Sequence, residues 1–315
     1  MNEFELIQKY FKQSDATKSP SATVLGIGDD AAIIQPPSGK QLVITSDTLV
    51  AGRHFPIQTP AHAIGWKAAA VNLSDIAAMG ATPYAVLLAI SLPEPALPWL
   101  AQFSRGFFEC CAPEQVQLIG GDTTKSPLLS ITVTALGWVE AGEAIRRDGA
   151  TAGDMIIVSN TLGDAAYALN HPDSLLQKRL DYPEPQSQLG KALCGYASSM
   201  LDISDGLGQD LGHILAASGV GARLYLDKLP LSPLLQQLPR EQAWQLALNG
   251  GDDYELCFTI SPQNYEQFQL KYAHQFQLQC IGTVVAPPGL ELLHHGQPLR
   301  MNINGYQHFD HAARP

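Results

Sequence analysis

Short acidic loops recur along this chain at the ends of apolar runs. They read Gly26-Ile27-Gly28-Asp29-Asp30, Thr45-Ser46-Asp47-Thr48, Asn72-Leu73-Ser74-Asp75, Gly120-Gly121-Asp122-Thr123, Leu201-Asp202-Ile203-Ser204-Asp205-Gly206 and Gly250-Gly251-Asp252-Asp253, with a weaker Gly163-Asp164. Gathered carboxylates repel one another, so a fold that brings several together needs a cation among them. Carboxylates beside hydroxyls are hard oxygen donors, which suit Mg²⁺, and Mg²⁺ commonly arrives with substrate phosphates. The pattern therefore points to a Mg²⁺-nucleotide site. Any one of these loops taken alone reads first as a plain turn, because Asp bonds its own backbone and Gly accepts positive φ. Asp75 taken alone reads as easily as a solvated helix residue. Only the sum of the loops favours the metal.

Gly26-x-Gly28-x-x-Ala31 satisfies the dinucleotide fingerprint, yet Pro36-Pro37 follows too closely for the helix that would hold a pyrophosphate. No Walker A sequence is present. His54 lies in a polar loop, where a lone histidine is ordinarily structural, and Arg146-Arg147 is a basic pair that could fork onto a phosphate or simply face water.

The elements that must position these residues alternate between strand and helix. Val24–Ile27, Ala31–Ile34, Leu42–Ser46, Tyr84–Leu92, Val116–Ile119 and Ser130–Val139 read as strands, with Asp47 just past a strand end and Gly120-Gly121-Asp122 as a loop. Ala61–Met79 and Pro98–Cys111 have helical spacing, the former with Ile64, Ala68, Val71 and Ile76 close to one face. Beyond a boundary near 140–153, strands at Met155–Val158, Ser199–Ile203, Arg223–Leu226 and Tyr254–Ile260 alternate with helices at Gly163–Leu169, Leu207–Ala217 and Glu241–Leu248. The proline-bearing stretch 171–187 reads as a surface connection. The expected organisation is α/β in two domains, 1–140 and 141–315.

Composition narrows the class. With 315 residues and a net charge of −11, the chain supports two cores and lacks the basic face of a nucleic-acid binder. Its N-terminus is acidic and makes a poor signal peptide, and no apolar run reaches bilayer length. Five cysteines without metal-ligand spacing read as reduced, mostly buried thiols of a cytoplasmic protein. No nucleic acid and no membrane is expected as a partner.

In fixed order, the acidic loops together with His54-Phe55, Lys67-Ala68, Met79-Gly80-Ala81 and Tyr254-Glu255-Leu256 resemble the thiamine-monophosphate kinases. These belong to the superfamily that includes aminoimidazole-ribonucleotide synthetase and selenophosphate synthetase, and the likeness covers nearly the whole chain. It implies ATP-dependent phosphorylation of thiamine monophosphate to thiamine diphosphate. It also implies an N-terminal α/β domain that binds ATP and Mg²⁺ and dimerises through its sheet into a β-barrel, followed by a C-terminal α/β sandwich. The family's Mg²⁺ ligands fall on Asp30, Thr45, Ser46, Asp47, Asp75, Asp122, Asp202 and Asp205. Its ATP contacts fall on Gly121, Asp122, Arg146 and Ser204, and its thiamine-phosphate contacts on His54, Glu255 and Tyr306. Asp30, Asp75 and Asp202 would lie between the two substrates as the catalytic set. The sequence departs from the family at Gln186, after Pro183-Glu184-Pro185, and at Asp148. The competing readings are a synthetase of the same superfamily and a non-catalytic sensor of ATP or thiamine phosphate.

Overall fold

The computed structural model describes residues 3–12, 22–94, 96–172, 174–273 and 275–306. The chain forms two compact units, residues 1–144 with 181–187, and residues 145–180 with 188–315.

In the first unit the elements are α1 (Glu3–Tyr10), β1 (Thr23–Leu25), β2 (Ile33–Ile34), β3 (Lys40–Val50), α2 (Ala61–Ala78), β4 (Thr82–Leu92), α3 (Leu97–Cys111), β5 (Gln117–Lys125) and β6 (Ser130–Glu140). The main sheet has the order β3-β6-β4-β5, antiparallel except for the parallel β4/β5 pair. It is an open sheet. The hydrophobic core gathers Ala69, Leu73 and Ile76 of α2, Phe103 and Phe107 of α3, and Val86, Ile131 and Val133 of the sheet. Because α2 lies between sheet and α3, it is buried on nearly every side rather than along one face. The β1–β2 ribbon sets Ala22 and Ile34 against Tyr84, Ile119 and Trp138.

The two helices approach closely because glycines meet at their crossing. A Cβ on Gly106 would lie 1.9 Å from the His62 carbonyl oxygen, and one on Gly65 2.0 Å from that of Phe103. Gly106→Ala is expected to lose about 2–3 kcal/mol by overpacking against backbone that cannot yield; an unchanged midpoint in urea unfolding would contradict this packing.

Two strands run further than the sequence pattern suggests. β3 continues past Asp47 to Val50, because each of its residues from Lys40 onward pairs with β6. β5 passes straight through Gly120-Gly121-Asp122, so that segment is strand and not loop. Gly121 is required there: its φ is +150°, and a Cβ would lie 1.8 Å from the Leu88 carbonyl oxygen on β4. No helix follows Gly28, since β2 does.

The second unit contains β7 (Met155–Ser159), α4 (Asp164–Asn170), α5 (Gln177–Asp181), α6 (Ser187–Leu193), β8 (Ala197–Asp202), α7 (Leu207–Ser218), β9 (Gly221–Tyr225), α8 (Arg240–Asn249), β10 (Leu256–Ile260), α9 (Pro262–Tyr272), β11 (Leu278–Val285), β12 (Gly289–His294) and β13 (Gln297–Pro298). Its sheet has the order β13-β12-β9-β11-β7-β10-β8, with β12/β9 the one parallel pair. Leu207, Leu211 and Ile214 of α7 and Trp244 and Ala247 of α8 pack with Ile156, Leu201 and Cys257 of the sheet.

The stretch 171–187 is not a plain surface connection. It forms α5, and residues 181–187 belong to the first unit. There the Tyr182 ring packs against His62 and Trp66, and Trp66 Nε1 donates to the Pro183 carbonyl at 2.8 Å.

Candidate active site

Asp29 and Asp30 occupy an exposed turn in which the Asp30 N–H donates to Asp29 Oδ1 at 2.8 Å. Across the sheet surface, Thr45 Oγ1 donates to Asp75 Oδ2 at 2.6 Å, joining β3 to the last turn of α2. Asn72 fixes the next position. It donates through Nδ2 to the Ala68 carbonyl, and its Oδ1 accepts from the Asp47 N–H at 3.0 Å. Alternation along β3 puts Thr45 and Asp47 on the helix side. The Ser46 hydroxyl points the other way and bonds Thr134 at 3.0 Å.

Asp122 aligns through Ala89 and Thr132 with Thr48, on the opposite edge of the sheet. Three strand spacings, about 14 Å, separate its strand from β3. Thus the first unit brings Thr45, Asp47 and Asp75 together but keeps Asp122 apart from them. The His54 ring closes a turn, its Nδ1 accepting from the Val50 N–H at 3.0 Å.

In the second unit, Arg146 pairs with the Asp148 carboxylate. Asp202 ends β8 and is buried. The loop after it is gripped by one side chain: Asp210 Oδ2 accepts from the N–H groups of Ser204, Asp205 and Gly206 at 3.1, 3.0 and 3.0 Å. Burial pushes the Asp210 carboxyl up to about 7, against the opposing pull of those three donors. Gln209 Nε2 donates both to Asp205 Oδ2 and to the Tyr306 carbonyl, and the Tyr306 N–H donates to the Asp205 carbonyl. Tyr306 therefore lies beside Asp205, with its side chain partly exposed.

Glu255 is only 1% exposed, and its carboxylate accepts from Ser159 Oγ at 2.6 Å, Asn160 Nδ2 at 2.9 Å and Arg179 Nη2 at 2.6 Å. Asp253 and Asp164 lie in the same buried cluster, each with one oxygen lacking a hydrogen-bond partner. Burial raises the Glu255 carboxyl above its usual range although Arg179 opposes it, and raises Asp253 well above. Arg179 and Asp210 carry no acidic-loop signal in the sequence. Arg179 lies in the stretch that reads as a connection; Asp210 falls in the first turn of α7, where an acidic residue is itself a readable sign of a helix start.

Among the described residues, no three His, Cys, Asp or Glu side chains converge closely enough to hold a metal. The buried thiols Cys110, Cys111 and Cys257 are pushed up by burial and are inert core groups.

The two-unit α/β fold with its acidic loops is that of a known class. The AIR synthase related protein family matches through its N-terminal domain over residues 28–139 and its C-terminal domain over 151–295, and the chain belongs to this family. Its branch is that of the thiamine-monophosphate kinases. The enzyme of that name from Haemophilus influenzae is 42% identical over 98% of both chains, and that of Escherichia coli K12 is 43% identical over 98% of both. The crystal structure of thiamine-monophosphate kinase from Stenotrophomonas maltophilia K279a is 46% identical, with a TM-score of 0.81 over 86% of this chain and 91% of that one. The structure of AaThiL complexed with AMPPCP and TMP is 30% identical, with a TM-score of 0.76 over 87% and 89%.

Proposed function

We propose that this chain catalyses ATP-dependent phosphorylation of thiamine monophosphate to thiamine diphosphate. The observation that carries this reading is full-length kinship with thiamine-monophosphate kinases, one of which is held in complex with AMPPCP and TMP. The residue chemistry agrees. A substrate phosphate is already an anionic nucleophile near neutral pH, so direct in-line transfer asks for alignment and charge neutralisation rather than a general base.

The donor set fits Mg²⁺. Every candidate ligand offers oxygen, and the Thr45–Asp75 contact already orients two of them. In this reading Asp30, Thr45, Ser46, Asp47, Asp75 and Asp122 of the first unit, and Asp202 and Asp205 of the second, hold the cations. When bound, Mg²⁺ supplies the charge neutralisation that the phosphates of both substrates need. Gly121, Asp122, Arg146 and Ser204 contact ATP, while His54, Glu255 and Tyr306 bind thiamine monophosphate. In this reading residues 1–140 are the ATP- and Mg²⁺-binding domain and residues 141–315 the sandwich domain, apart from residues 181–187, which fall in the first unit.

The working form is a homodimer. β3 is an edge strand with Leu42 and Ile44 exposed at 43% and 60%, and pairing with a second copy covers such an edge, as in the family's barrel. The cellular setting is the cytoplasm, in keeping with five free cysteines. Separately, no helix among the described residues is long and apolar enough to cross a membrane.

Purified protein mixed with ATP, Mg²⁺ and thiamine monophosphate is expected to yield thiamine diphosphate and ADP in equal amounts, and none in EDTA. Binding of both ligands without ADP formation would instead establish a sensor.

A further inference from the structure

The loop Ser204-Asp205-Gly206 carries two residues of the proposed site, yet no regular element holds it, since β8 ends at Asp202 and α7 begins at Leu207. Three consecutive backbone N–H groups there need acceptors, and all three find one oxygen of Asp210, a side chain 4% exposed. A carboxylate is unusual in so buried a place, because burial without full pairing costs free energy that a neutral side chain would not. Its three backbone donors, at 3.0–3.1 Å, are the compensation, and they also fix which way the loop turns.

The opposite side of the loop is held independently. The Asp252 N–H donates to the Ser204 carbonyl at 2.9 Å, and the approach is so tight that a Cβ on Gly251 would lie 2.4 Å from that oxygen. Asp252 and Tyr254 both adopt positive φ, +67° and +50°, a strained backbone for non-glycine residues that persists only where surrounding contacts impose it. The loop is thus clamped between an internal carboxylate and a strained strand approach. Outside the clamp, Gln209 ties the Asp205 carboxylate to the Tyr306 carbonyl.

We propose that Asp210 is a positioning residue of the kinase: by capturing the three amides it sets the direction in which Asp205 and Ser204 present their side chains. The inference rests on the reading of Asp205 as a Mg²⁺ ligand and Ser204 as an ATP contact. It assigns Asp210 no contact with either substrate. Its effect belongs in the Mg²⁺ dependence of turnover rather than in thiamine monophosphate binding as such.

The test compares wild type with Asp210→Ala and the isosteric Asp210→Asn, which keeps one acceptor oxygen in place. Two readouts are taken: the Mg²⁺ concentration that half-saturates thiamine diphosphate formation, and amide hydrogen exchange of Ser204, Asp205 and Gly206 without substrates. Asp210→Ala is expected to raise half-saturating Mg²⁺ at least about tenfold and to speed exchange of the three amides by a similar factor. Exchange in the Met200–Leu201 segment of β8 should stay as in wild type. Asp210→Asn should fall between, at a severalfold rise. If Asp210→Ala does not fold, Asp210→Asn decides alone: unchanged Mg²⁺ dependence overturns the proposal. Loop exchange unchanged in a folded variant overturns it as well, whatever the activity. Should wild type itself form no thiamine diphosphate, the functional reading fails, while the exchange readout still decides whether Asp210 holds the loop.

Discussion

Asp30→Asn is expected to lower turnover about 10²–10³-fold, the loss seen when one charge-stabilising group is taken from a reacting centre, while thermal stability is kept. The two halves of that expectation have separate causes. Stability is kept because Asp30 is exposed, and its own N–H is satisfied by Asp29 Oδ1 rather than by anything its carboxylate does. Turnover falls because an amide oxygen remains a weak donor to a hard cation but carries no charge to offset two phosphorylated substrates. Steady-state formation of thiamine diphosphate at saturating Mg²⁺ measures it. Rates near wild type would remove Asp30 from the catalytic set. Asp202→Asn should act alike on turnover, with a further loss of stability because that side chain is buried at the end of β8.

The second large effect lies in the buried cluster around Glu255. Arg179→Met is expected to lower unfolding free energy by about 3–5 kcal/mol, since it strips the guanidinium from buried carboxylates and leaves their charge uncompensated. The loss should depend on pH, with a definite sign. Asp253 and Glu255 are already raised by burial, and removing Arg179, which pulls both down, raises them further. Groups raised in the folded state contribute stability that is fully present below their unfolded values, about 4, and is lost as pH rises through the folded values. The variant should therefore be weakest at alkaline pH and recover as pH falls toward 5. Urea denaturation across that range reads the effect directly. A second change, Glu255→Gln, should restore part of the loss at pH 8. A pH-independent loss under about 1 kcal/mol would mean that the cluster is solvated and the ion pair worth little.

Much of the first unit was legible because its cues are local. Gly80 after α2, the largely apolar β4 and the Gly-Asp turns each report on their own neighbourhood. What escaped depended on partners distant in sequence. β3 reads as ending at Asp47 because Thr45-Ser46-Asp47-Thr48 interrupts the apolar run, yet pairing with β6 carries it to Val50. Gly120-Gly121-Asp122 looks like a turn because glycine usually marks one; here the glycines allow close passage of β4 in a continuing strand. The segment from Pro262 onward forms α9, β11, β12 and β13, whose apolar residues are spaced by polar ones without a clear period.

The candidate ligands rest on residue type together with the family resemblance, and their grouping on neither. Sequence pattern cannot show that Thr45 meets Asp75 while Ser46 faces away, since that follows from the pleat of β3 against α2. Nor could it show that Glu255 is enclosed by Ser159, Asn160 and Arg179. The bracing roles of Asp210 and Gln209 were not legible for a related reason: Asp210 in a first helical turn marks a helix start, but nothing in the pattern shows that either side chain reaches back to the loop before α7.

The return of residues 181–187 to the first unit bears on how the protein is made. Residues 1–144 leave the ribosome well before the segment that supplies the acceptor for Trp66 Nε1 and the ring beside His62. At translation speeds of 5–20 residues per second, the first unit stays incomplete for about 2–9 s after its last contiguous residue has been added. A fragment ending near residue 144 would carry the same gap permanently, with the Trp66 indole edge uncovered. Dissecting this protein into working halves therefore calls for a circularly rearranged or complemented chain rather than a single cut.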